Sequence, residues 1–273
     1  MKAYRDGNGK IRTFRPLENG KRLCRTSERM CLPTFDPNEF VKCLDEYLKI
    51  EERWIPKEPS TLYIRPTVIS LDNKLGVQAP SHTMLFITSS PSGPYFKEGL
   101  KPVKLKIETE ATRAWPGGTG DVKVGANYIQ GIDKAKQAAA EGFNQVIWLN
   151  GKYITEAGAC NLYVYWVNKN GEKELVTPML DGTILPGITR KSILEIMKDD
   201  KRFTTCEKKI SVNDLLAAFK ENRLIEMFMC GTAVVVGPIG SVQHKKTTII
   251  PAKPEGELAL EIYKKLQDIQ VVL

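Results

Sequence analysis

A chain of 273 residues with 42% hydrophobic and 26% charged side chains has the composition of an ordinary globular protein, with enough residues for one large domain or two moderate ones. Its formal net charge of +8 is spread along the sequence rather than gathered into runs. That pattern suits a solvated basic surface with some preference for anionic small molecules, and argues against a nucleic-acid partner. No apolar run approaches the roughly 20 residues that span a bilayer, and the first residues read as structure rather than as a leader.

In chain order, residues 2–15 read as a hairpin turning at Asp6-Gly-Asn-Gly. Helical spacing follows over 17–30, with Arg22, Arg25 and Arg29 on a polar surface. Asp36-Pro37 supplies an N-cap and first-turn pair for a helix to Ile50, whose Phe40, Val41, Leu44 and Leu48 share one face. Strands are expected over 61–71, where Pro66 implies an edge or bulge, and over 84–88. The Pro-, Gly- and Ser-rich stretch 89–99 reads as a linker, in which Tyr95-Phe96 can cover a cleft or pack on its own domain. The expected domains are 1–91 and 103–273, joined by an interdomain loop over 92–102.

Beyond the linker, a helix is expected over 127–142, ended by Gly142. Strands at 145–149, 161–167 and 175–177 are separated by the turn signals Asn150-Gly151 and Asn170-Gly171. One helix runs to about Met197, another starts at Ser211, a strand covers 224–229, and an amphipathic helix spans 257–269. Hairpins mixed with helices predict an α+β fold with mainly antiparallel sheets.

Six cysteines (Cys24, Cys31, Cys43, Cys160, Cys206, Cys230) form no Cys-x-x-Cys pair, and His82 and His244 are the only histidines. Reduced, buried, small apolar side chains are expected of the cysteines, and no metal is assigned. The chemistry concentrates elsewhere. Lys123 lies among the glycines of 114–128, with Tyr128 five residues on. Its residue type alone allows a phosphate-binding cation, a Schiff-base nucleophile or a solvated side chain. The P-loop pattern is absent, and the dinucleotide fingerprint fails because Lys123 occupies its third glycine position. The flanking valines suggest a strand that carries the lysine toward an enclosed site, where burial makes an amine nucleophilic.

Three further stretches join it. Glu156, within Thr155-Glu-Ala-Gly158, requires a cationic partner if buried; an exposed glutamate is the ordinary alternative. Leu185-Pro-Gly-Ile-Thr-Arg190 opens a helix whose free N–H groups suit a phosphate, or is a structural turn. Gly231-Thr-Ala233 follows a buried strand and offers hydroxyl and N–H donors to an anion. An amine, a phenol, one carboxylate and two anion-cradling turns together are the parts that pyridoxal phosphate requires.

In their order and spacing, Lys123-Val-Gly-Ala-Asn-Tyr128, Thr155-Glu-Ala-Gly158 with Asn161-Leu, Leu185-Pro-Gly-Ile-Thr-Arg190 and Cys230-Gly-Thr-Ala233 resemble a fold-type IV pyridoxal-phosphate enzyme. With Met1-Lys-Ala-Tyr4, Tyr63-Ile-Arg-Pro66, Ser90–Phe96 and Arg113-Ala-Trp-Pro-Gly-Gly118, the chain is similar to branched-chain amino acid aminotransferases of the eukaryotic type over essentially its whole length. The resemblance implies two α/β domains, a homodimer, and reversible transfer of the amino group of Leu, Ile or Val to 2-oxoglutarate, giving branched 2-oxo acids and glutamate. By the same resemblance, Lys123 carries pyridoxal 5'-phosphate and serves as base and acid of the proton shift. Glu156 partners the pyridine nitrogen and Tyr128 the phenolic oxygen. Arg22, Ile188, Thr189 and Thr232 hold the phosphate, while Ala159 and Ala233 lie where the substrate carboxylate binds. Tyr63 and Arg65 recognise the second carboxylate of glutamate, and Tyr95 sits over the pocket. Family members occur in cytosol and mitochondria, and the reading here is cytoplasmic with a mitochondrial address also open.

Some features depart from the family. Its chains extend upstream of Met1, so an early strand is expected to expose an edge, and the segment after Gln270 is expected to be short. Ala126 replaces a motif glycine, which strains the turn if that position needs a positive φ. Val234-Val-Val-Gly237 replaces a thiol pair found in vertebrate relatives, so no thiol switch is expected. The alternative to an active aminotransferase is a chain that keeps cofactor-binding residues and acts only by binding or dimerising.

Overall fold

A computed structural model describes residues 1–95 and 100–272 of the chain. The expected interdomain loop and Phe96 fall partly outside the described residues. The chain divides into two compact units, one of Met1–Lys97 with Leu266–Leu273 and one of Glu98–Lys265. The expected second domain ran on to residue 273, whereas the last eight residues group with the first unit.

In the first unit, β1 (Lys2–Arg5) and β2 (Ile11–Thr13) form the expected hairpin, with the Asp6 carboxylate accepting from Asn8 and Lys10 N–H. Helices α1 (Pro16–Arg29) and α2 (Pro37–Ile50) follow, the latter capped by the Asp36 side chain on Asn38 N–H. Strands β3 (Thr61–Ser70) and β4 (Thr83–Ser92) complete an antiparallel sheet of order β2-β1-β3-β4. Phe40, Leu44 and Leu48 on α2 bury against Leu62 and Ile64 on β3, so the period of the helix and the alternation of the strand meet in one core. Pro66 stands where, among the described residues, β3 pairs with β4 and no longer with β1, as a residue without an N–H requires. The linker begins later than its composition suggests. Ser89–Ser92 continue β4 and pair with Thr61–Ile64, because an adjacent strand supplies ladder partners that Ser and Pro would not select alone.

The second unit carries β5 (Val103–Ile107), α3 (Ala126–Ile129), α4 (Ile132–Ala140), β6 (Gln145–Asn150), β7 (Tyr153–Ala157) and β8 (Cys160–Val167). They are followed by β9 (Lys173–Pro178), α5 (Ile188–Ile196), β10 (Thr204–Lys208), β11 (Ile210–Ser211) and α6 (Val212–Lys220). Last come β12 (Leu224–Gly231), β13 (Val235–His244), β14 (Thr247–Ile249) and α7 (Glu257–Gln267). The strands make one ten-stranded sheet, mostly antiparallel, with parallel pairs β5–β6, β5–β13 and β9–β10. Six of them close on themselves in the order β8-β12-β13-β5-β6-β7, the last joint being a pairing of β7 with β8. Tyr163 and Phe228 stack at 5.0 Å between ring centres, and both are fully buried.

The expected helix over 127–142 is two helices, α3 and α4, divided at Gln130-Gly131. Gly131 N–H bonds the Tyr128 carbonyl and closes a tight turn, and any Cβ at 131 would sit 3.0 Å from the Trp148 ring. Trp148 thus packs closely on a residue whose lack of a side chain also weakens the helix at this point.

Candidate active site

Lys123 does not ride on a strand. It lies in irregular chain before α3 and is exposed, a correction to the buried strand that its flanking valines suggested. Only Val122 of those two valines is fully buried, so the loop is anchored by one side chain rather than by a ladder. The Lys123 Nζ donates to the Tyr128 hydroxyl at 2.9 Å and stands 4.9 Å from the centre of that ring. Ala126 is in the first turn of α3 and is not among the positive-φ residues, so the missing motif glycine causes no backbone strain.

The loop holds its shape through Asn127, a motif member to which the sequence reading gave no role. Its buried amide donates to the Thr119 and Val122 carbonyls at 2.6 and 2.8 Å, and its oxygen accepts from the Thr119 hydroxyl at 2.9 Å. Replacing Asn127 with Ala strands these carbonyls, which is expected to cost about 2–3 kcal/mol. Amide exchange at residues 119–123 should then quicken well beyond that of the sheet; unchanged protection there would contradict this account of the loop.

Glu156 is buried, and its partner is cationic, as burial requires. Its Oε2 lies 3.0 Å from Arg113 Nε, itself buried, although the contact lacks the alignment of a hydrogen bond. Its Oε1 accepts from the backbone N–H of Leu185 at 3.0 Å and from the Asn161 amide at 3.1 Å. Burial pushes the Glu156 carboxyl up to about 7, opposed by the charge of Arg113, the Leu185 N–H and the charge of Lys123. Lys123 is thus close enough for its charge to act on the acid.

Glu156 and Asn161 face each other where β7 meets β8, and Asn161 also pairs with Cys230 on β12. From that register the two hairpin tips carrying Ala159 and Thr232-Ala233 are neighbours at one end of the closed ring. Ala159 and Ala233 are exposed there, and a Cβ on Gly231 would lie 3.5 Å from the Cys160 sulfur. Val235, directly after this second tip, has φ 60, a left-handed conformation that strains a β-branched residue. Burial pushes the Cys160 thiol up to about 12 and raises that of Cys230 as well, so both stay protonated; Cys31 and Cys43, by contrast, are exposed, against the burial expected of the cysteines.

The start of α5 reaches the same place. Thr189 is buried in its first turn with Ile188 partly exposed before it. The Asn161 amide donates to the Leu185 carbonyl at 2.9 Å, and a Cβ on Gly187 would fall 2.0 Å from the Asn161 oxygen. Gly187→Ala should therefore lower the melting temperature by roughly 5–10 °C, from about 3 kcal/mol of overpacking. A variant that melts with the wild type would remove the tight approach from the argument.

The structure thus gathers Lys123, Tyr128, Glu156, Ala159, Ile188, Thr189, Thr232 and Ala233 in the second unit. Arg22, Tyr63, Arg65 and Tyr95 belong to the first. Arg22 is on α1, bonded to the Asn19 side chain at 3.3 Å. Tyr63 and Arg65 share one face of β3, with the guanidinium 5.3 Å from the ring centre, and Tyr95 follows β4 with its side chain exposed. Sequence reasoning missed Arg113 as partner of the acid, and gave no role to Asn127 and Asn161. Arg113, Asn127 and Asn161 all stood in its motifs, and a buried acid by itself called for a cation.

A lysine–phenol pair, a buried acid and small-residue turns at one end of a closed, mostly antiparallel barrel define a class-IV aminotransferase, and the family model for amino-transferase class IV matches residues 1–242. A mitochondrial branched-chain-amino-acid aminotransferase of Schizosaccharomyces pombe is 44% identical over 99% of the chain and 66% of its own length. A cytosolic one of Rattus norvegicus is 46% identical over 99% of the chain and 67% of its own length. The crystal structure of a branched-chain aminotransferase from Thermoproteus uzoniensis with norvaline superposes at TM-score 0.80 with 25% identity, covering 98% of this chain and 82% of that one. The chain belongs to the branched-chain-amino-acid aminotransferase family. It spans about two thirds of the length of the curated relatives it matches.

Proposed function

We propose that this chain transfers the amino group of Leu, Ile or Val to 2-oxoglutarate with pyridoxal 5'-phosphate, as a homodimer of the eukaryotic type. The observation that carries the reading is Glu156: a fully buried carboxylate whose Oε1 is satisfied twice while its Oε2 has only a misaligned arginine among the described residues. A protonated ring nitrogen fits that free lone pair and offsets the cost of burying the charge. Bound there, the cofactor supplies an electron sink for the bonds at the substrate α-carbon.

The protein's own residues do the rest. Lys123 is the group that moves the proton, a role supported by its hydrogen bond to the Tyr128 hydroxyl. The uncapped first turn of α5, with Thr189, and the tip with Thr232 offer N–H and hydroxyl donors to a phosphate, and Arg22 adds charge. Ala159 and Ala233 present small side chains at the tips, leaving room for a carboxylate against the backbone. Tyr63, Arg65 and Tyr95 are proposed to select the substrate. The proposed domain limits are 1–91, an interdomain loop over 92–102 and a second domain from 103, with the last eight residues of the expected 103–273 grouping with the first unit instead. The cytosolic and mitochondrial names of the relatives are both compatible with this reading.

The test is the full chain with pyridoxal phosphate, leucine and 2-oxoglutarate. Formation of glutamate and 4-methyl-2-oxopentanoate in equal amounts is expected. Cofactor binding without turnover would instead establish the binding or dimerising alternative, and no binding would reject both.

A further inference from the structure

Asn161 touches both ends of the proposed site. The amide nitrogen donates to Glu156 Oε1 at 3.1 Å and to the Leu185 carbonyl at 2.9 Å. Both partners are acceptors, so the orientation of the amide is fixed and its oxygen must point the other way, against Gly187. The Leu185 N–H returns to the same Glu156 oxygen at 3.0 Å. Acid, amide and the peptide that leads into α5 therefore form a closed hydrogen-bonded ring. Asn161 is buried and lies at the junction of β7, β8 and β12, so the ring rests on three strands. Both amide hydrogen bonds of the side chain go to the acid and to the peptide before α5.

Resting on the function proposed above, we infer that Asn161 is a positioning residue that couples the acid under the cofactor ring to the phosphate-binding start of α5. Removing the amide frees the Glu156 carboxylate from one donor, which favours its neutral form. It also leaves the Leu185 carbonyl unpaired, so that the Pro186-Gly187 entry to α5 loses its tether. One substitution then weakens two contacts with the cofactor that have no chemical group in common.

The experiment compares the wild-type chain with Asn161→Leu and Asn161→Ala, the second being the variant that leaves room for a water if the first fails to fold. Binding of pyridoxal phosphate and of phosphate-free pyridoxal is titrated for each. In the variants the preference for the phosphorylated form is expected to shrink at least about tenfold. In the ligand-free proteins, the midpoint of the pH-dependent stability attributable to Glu156, taken as the difference from Glu156→Gln in the same background, is expected to move up by about 1 pH. A residue that only holds the fold would lower stability and leave both quantities alone, and that result in a folded variant overturns the inference. Wild-type chain that binds pyridoxal as tightly as its phosphate sinks the function reading instead. The ligand-free arm then still decides the link between Asn161 and Glu156.

Discussion

Lys123→Ala is expected to abolish turnover of leucine, with a loss of at least about 10⁴-fold, while the protein melts within about 1 kcal/mol of the wild type. The two halves of this result have separate causes. Lys123 is exposed and donates to the Tyr128 phenol, whereas Asn127 and Val122 hold the chain in place. The fold therefore loses little when the amine goes. The chemistry loses a lysine amine that stands beside the phenol and whose charge acts on Glu156. Turnover assays paired with thermal melts decide it. An active variant would move the proton transfer to another base, and an unstable one would give the lysine a structural role that its exposure denies.

Glu156→Gln is expected to lower kcat by about 10²–10³, in line with the removal of a preorganised charge, and to change how stability follows pH. The folded protein keeps the Glu156 proton up to about 7, whereas the unfolded chain releases it near the ordinary glutamate value of 4.5. Between those values the folded state binds more protons, so wild-type stability falls as pH rises, by a total on the order of 3 kcal/mol. Glutamine has no proton to lose. Relative to wild type, the ligand-free Gln variant should therefore gain stability from about pH 5 to pH 8, whatever offset its altered contact with Arg113 introduces. Denaturant melts at several pH values read this directly. A parallel pair of stability curves would mean that Glu156 titrates normally. Bound cofactor should flatten the wild-type slope, because a cationic ring nitrogen beside Oε2 stabilises the charged carboxylate.

Local chemistry was legible where it is local. The Asp36 cap, the Asp6 hairpin turn, the Gly142 helix end and the Ser211 helix start are set by residues a few positions apart, and the structure has each of them. The strands without local signals escaped. β5 and β10 lie in parallel pairs whose partners are distant in sequence, and β13 carries Pro238 and Gly240, which ordinarily argue against a central strand. A shift of register between Ile239 and Ser241 accommodates them, with Gly240 tight against Pro102. The site motifs were visible as residue types at a spacing. Their assembly was not, because it depends on the closure of β7 on β8 and on Arg113, more than forty positions before Glu156. The exposure of Lys123 misled the reading for a simpler reason: alternating valines resemble a strand, and only one of them is anchored.

The two sheets differ in how they end. The six-strand ring has no edge within it and its sheet ends in the short strands β10, β11 and β14, whereas the four-stranded sheet of the first unit stops, among the described residues, at β2 and the ten-residue β4. On its long hairpin, Ile69, Leu71, Met84 and Leu85 are exposed close to the turn. Open ladder groups beside apolar side chains are the arrangement on which another chain can add a strand. Aggregation on heating should accordingly begin in residues 61–92 rather than in the barrel. Mass-resolved hydrogen exchange at rising protein concentration would show it as protection gained in that segment first, and Pro66 and Pro91 stand there as the interruptions that slow it.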